Sequence, residues 1–91
     1  MQLRLTLYAK HFYAILNKEK TIEYRALTKY YENKFKKQYD SILFINGYGA
    51  TRPFMIIELK EIKKTDKNYE LYLGNILKVG NIQIKENLFS N

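Results

Sequence analysis

Leu3, Leu5 and Leu7 alternate with Arg4 and Thr6, and this period of two predicts a first strand with a leucine face turned inward. Tyr8, Phe12, Ile15 and Leu16 then fall at i, i+4, i+7 and i+8, which is one face of an amphipathic helix across about residues 9–18. Asn17 stands where that helix should stop, because asparagine tolerates the left-handed conformation that helix exits often need. From Thr21 to Leu27 the pattern returns to period two, with Ile22, Tyr24 and Ala26 on one side and Thr21, Glu23 and Arg25 on the other. Thr28 is placed to N-cap a second helix. Tyr31 and Phe35 are spaced there for burial, with Glu32 near the first turn. Lys34, Lys36 and Lys37 crowd the last turn, where cations suit the helix dipole.

The second half reads in shorter segments. Ile42-Leu43-Phe44-Ile45 is a continuous apolar run, as in a strand covered on both faces. Asn46-Gly47-Tyr48-Gly49 follows with turn chemistry. Phe54 to Ile62 is a long strand pattern, with Met55, Ile57 and Leu59 opposed to Ile56, Glu58 and Lys60. Lys63 to Asn68 is a polar turn, and Tyr69, Leu71 and Leu73 alternate again. Gly74-Asn75 should break that strand, and Ile82 and Ile84 suggest a last short one after Gly80. The order β-α-β-α-β, followed by several strands, predicts an α+β domain around a small, mixed or antiparallel barrel.

The chain has 91 residues, enough for a single domain over residues 1–91. Sixteen basic residues against 9 acidic ones give a formal charge of +7. The sequence pI of about 9.6 points to a nucleic-acid partner. A soluble, lysine-rich protein from an AT-rich genome has the same composition. The absence of cysteine excludes disulfides, cysteine-based zinc sites and a thiol nucleophile, and fits a cytoplasmic setting. No apolar run has the length of a membrane span, and the first twenty residues lack the apolar core of a secretion signal. Metal-ligand spacing is also missing, so neither metal nor cofactor is expected.

The densest chemistry lies at the first helix-to-strand joint, Asn17-Lys18-Glu19-Lys20-Thr21-Ile22-Glu23-Tyr24-Arg25. Lys20 and Arg25 can meet a phosphate or a base carbonyl, arginine bidentately. Glu23 can accept from an exocyclic amine or hold Arg25. For catalysis, Lys20 would polarise a carbonyl and Glu23 would move a proton. The plainer reading is a solvated strand face with an ordinary surface ion pair.

Tyrosines interleaved with lysines suit single-stranded nucleic acid, although alternation sends Tyr24, Tyr31 and Tyr69 toward apolar faces; Tyr48 is the first platform candidate. The loop from Asn46 to Arg52 could offer backbone N–H groups to a phosphate, or simply connect two strands. His11, the only histidine, reads as a surface residue away from the apolar stripe.

The strand and helix around Lys10 and Tyr13-Ala14-Ile15-Leu16, the run Lys18-Glu19-Lys20-Thr21-Ile22-Glu23-Tyr24-Arg25 and the later short strands resemble the ASCH family of the PUA-like superfamily. The run is similar to its Gly-x-Lys-x-x-Glu-x-Arg signature, with Asn17 in the glycine's place. The resemblance implies a PUA-like β-barrel with two helices packed at its openings, and a cleft that binds RNA or, in some members, DNA. Lys20, Glu23 and Arg25 would be central to it, with Lys10, Thr21, Asn46, Tyr48 and Arg52 around them. Some members are small hydrolases of acetylated cytidine, and one is reported as a ribonuclease. Glu23 stands where the hydrolase branch carries a catalytic threonine. The expected function is therefore RNA binding. The alternatives are hydrolysis of a modified nucleoside, or a protein-binding regulator from a mobile element. RNA is the expected partner, ahead of single-stranded DNA, a modified nucleoside or a protein.

Overall fold

A computed structural model describes residues 1–47 and 51–82. The elements in chain order are β1 (Gln2–Leu7), α1 (Ala9–Leu16), β2 (Ile22–Arg25), α2 (Lys29–Lys34), β3 (Ser41–Asn46), β4 (Phe54–Lys64) and β5 (Tyr69–Gly80). Together they form a small α+β, barrel-like fold.

The leucine face of β1 is buried, as its alternation requires. β1 pairs in parallel with β3, from Gln2 opposite Ser41 to Leu7 opposite Asn46. The remaining pairings are antiparallel, giving the strand order β1-β3-β4-β5-β2. Among the described residues the mixed sheet curls into a half-barrel rather than a closed barrel, and β1 and β2 are its two edges. Leu3, Leu5, Phe44, Met55, Ile57 and Leu71 fill the inner face. α1 adds Phe12 and Ile15 to that core. α2 has no fully buried residue. It packs through Tyr31, which stacks on Phe35 at 5.3 Å, and through Phe35, whose ring meets Tyr69 edge-on at 5.0 Å. No helix of the described residues is long and apolar enough to cross a membrane.

Local details differ from the sequence pattern for identifiable reasons. α1 stops at Leu16, and the left-handed residue is Lys18 (φ 63°), not Asn17. Glu19 N–H bonds to the carbonyl of Ala14 and Lys18 N–H to that of Ile15, the paired pattern of a Schellman ending. Tyr8, expected on the buried stripe, is instead the N-cap residue and points into solvent. Thr28 does cap α2, its hydroxyl accepting from Tyr31 N–H at 3.2 Å, while Lys36 and Lys37 lie past the helix end.

β2 is shorter than its pattern, and its polar face turns inward: Glu23 is buried while Tyr24 is exposed. Gly74-Asn75 does not end β5. The strand runs on to Gly80 with register shifts against β4, and Glu58 Oε1 accepts from Asn75 N–H at 2.8 Å. A Cβ at Gly74 would come within 2.9 Å of Glu58 Cβ, so the close approach of β4 requires glycine there. Ile82 belongs to no strand, and Ile84 lies outside the described residues.

Candidate functional site

The Schellman turn after α1 delivers Lys20 to the start of β2, and one strand residue, Tyr24, separates Glu23 from Arg25, which share a face. Glu23 is the one buried charged residue among those described, at 4% exposure. Its two oxygens are divided between two cations. Oε1 accepts from Lys20 Nζ at 2.8 Å, and Oε2 accepts from Arg25 Nε at 2.9 Å, with Nη2 also 2.8 Å away. A carboxylate taken out of water needs this pairing, because an uncompensated buried charge costs several kcal/mol, on the order of 3–5 when one partner is removed. The plain reading of a solvated ion pair is therefore corrected.

Arg25 is tied down on every side. Nη1 donates to the Tyr31 hydroxyl at 2.8 Å, and Nη2 donates to the Thr6 carbonyl at 3.0 Å. Its guanidinium carbon lies 5.7 Å from the centre of the Tyr31 ring. One side chain thus joins β2, α2 and β1. His11 is exposed, as its position suggested, and its Nδ1 lies 3.1 Å from Lys20 Nζ. An ammonium group only donates, so this contact is a hydrogen bond in the tautomer whose Nδ1 carries no proton.

Lys20 and Arg25 do not converge on one cleft. Arg25 lines a cleft of about 360 Å³ in the open seam of the half-barrel, together with Arg4, Thr6, Tyr8, Tyr30 and Tyr31. Lys20 lines a separate depression of about 140 Å³ with Lys18, Thr21, Gly74 and Asn75. Glu23 contacts both cations.

The other expected residues are dispersed. Lys10 is exposed on α1 and lines neither cleft. Thr21 is exposed beside Lys20, its carbonyl held by Leu73 N–H at 3.0 Å. Asn46 ends β3, its N–H bonded to the Pro53 carbonyl at 2.9 Å. Arg52 reaches toward the seam, where its side chain would lie 3.6 Å from a Cβ at Gly47, a lining residue. Tyr48 lies outside the described residues. No three acidic or histidine side chains gather as a metal ion would need among the described residues.

Sequence reasoning passed over Arg4 and Tyr8, and held Tyr30 only as one of the tyrosines interleaved with lysines. The outward position of Arg4 on a leucine-faced strand was a usable signal. Tyr8 was hidden by its fit to the helical stripe, since only the N-cap geometry turns it outward. Comparison with protein-family models, curated proteins and solved structures finds no match for this chain.

Proposed function

We propose that the protein is an ASCH/PUA-like module that binds single-stranded RNA in the seam cleft. The observation that carries this reading is the pairing of two exposed aromatic rings with two arginines. Tyr8 is 85% exposed and Tyr30 63% exposed, and both line the cleft that holds Arg4 and Arg25. Exposed rings of this size forgo burial and offer flat faces to bases, each stacked base contributing about 1–3 kcal/mol. Arg4 is the exposed cation for the phosphates, while Arg25, fixed by Glu23, Tyr31 and Thr6, presents a pre-ordered wall. The formal charge of +7 favours a polyanion over a neutral partner. An RNA partner fits a cytoplasmic protein.

Binding is favoured over turnover because both oxygens of Glu23 are engaged by cations, and Lys20 donates to Glu23 and His11. Neither group is poised to move a substrate proton.

The test is a titration of labelled single-stranded RNA and matched DNA at two salt concentrations, with Tyr8→Ala/Tyr30→Ala alongside. Salt-sensitive RNA binding that weakens at least tenfold in the folded variant is the expected result. Absence of RNA binding by the wild type overturns the reading. Tighter binding of DNA would reassign the ligand.

A further inference from the structure

The seam cleft continues along α2. Tyr30, at its rim, also lines a second depression of about 350 Å³ with Asn33, Lys34, Lys37 and Tyr39. Lys37, Gln38 and Tyr39 line in turn a third depression of about 370 Å³, bounded by Lys60 and Glu61 on the β4 side. Each shares lining residues with the next, so the three lie side by side from the sheet seam, past the helix end, to β4. The path is basic. Lys34, Lys37 and Lys60 stand along it, and its one carboxylate, Glu61, has Lys63 Nζ 3.8 Å away. It is also shaped by fixed contacts. The Tyr39 hydroxyl donates to the Lys34 carbonyl at 2.7 Å, and Lys34 Nζ lies 5.5 Å from the centre of the Tyr30 ring.

Resting on the RNA-binding reading, we propose that this groove is an extended site for the phosphates of an RNA whose base occupies the seam cleft. Spaced lysines on flexible stems suit a repeating anion better than a single one. An RNA long enough to follow the groove then gains contacts that a short one cannot make.

The experiment compares wild type with Lys37→Gln/Lys60→Gln, which leaves Lys34 against the Tyr30 ring, on RNAs of about 4 and about 12 nucleotides, within the site sizes of small binding domains. Thermal melting checks that the variant is folded, as expected for these outward-facing side chains. The variant should bind the long RNA at least tenfold more weakly, with its salt slope reduced by roughly 1.4, as expected for two lost phosphate contacts. Its affinity for the short RNA should be unchanged. Equal affinity and slope for the long RNA in both proteins overturns the groove and leaves the seam cleft standing. A wild type that binds neither RNA overturns both. Polyglutamate bound as tightly as the long RNA, and lost equally in the variant, overturns RNA as the occupant.

Discussion

Arg25 donates to the main-chain carbonyl of Thr6 at 3.0 Å, and this bond links the two edge strands of the half-barrel. Sheet edges present unpaired backbone groups that natural proteins must cover or block. Here a side chain from one edge satisfies a carbonyl on the other, and the remaining space between them is the proposed ligand cleft. Structure and function therefore meet in the same guanidinium.

Arg25→Ala should lower stability by about 3–5 kcal/mol in chemical denaturation, since it leaves Glu23 half-paired and the seam unlinked. Its RNA affinity alone would then confuse unfolding with a lost contact. Replacing all three charged residues, as Lys20→Met/Glu23→Leu/Arg25→Met, should recover most of that stability, because no buried charge remains. RNA affinity should stay low. A triple variant no more stable than Arg25→Ala would refute the account of the buried cluster.

Lys18 holds a left-handed conformation at φ 63° that glycine adopts freely. Lys18→Gly should raise stability by about 0.5–1 kcal/mol, the relief of side-chain strain exceeding the entropic cost of glycine. Lys18→Ala should give no such gain in the same thermal melts.

Gly74→Ala should destabilise the domain by about 1–3 kcal/mol, because the added methyl group overpacks against Glu58. The effect should shrink in a Glu58→Gly background, where the obstructing Cβ and carboxylate are both gone. Equal costs in both backgrounds would place the strain elsewhere.

Thr28→Ala removes the hydroxyl that accepts from Tyr31 N–H and should cost about 1 kcal/mol. Tyr30 and Tyr31 occupy the first turn behind that cap, so RNA affinity should fall modestly as well. Restoration of both quantities by Thr28→Ser would tie them to the hydroxyl.

Local chemistry made much of this architecture legible. The leucines of β1, the cap at Thr28 and the alternation through β4 and β5 each follow from neighbours close in sequence. The inward turn of Glu23 and Arg25 was not legible, because alternation shows that two faces differ without saying which is buried. The usual preference for burying Ile22 and Tyr24 was overridden by a carboxylate paired with two cations. Gly74-Asn75 was read as a break because a bulge and a strand end share the same residues; the accepting carboxylate of Glu58 lies on another strand. The seam cleft depends on Thr6, Arg25 and Tyr31 from three elements, a conjunction that no single segment encodes.

One carboxylate serving two cations gives the two depressions a shared counter-charge. An anion that draws Arg25 toward the seam leaves more of Glu23 to Lys20, which then has less attraction left for an anion of its own. Occupancy of either depression should thus lower the affinity of the other, and by the same free energy in both directions. The buried glutamate should make the two ends of β2 competitors for anions.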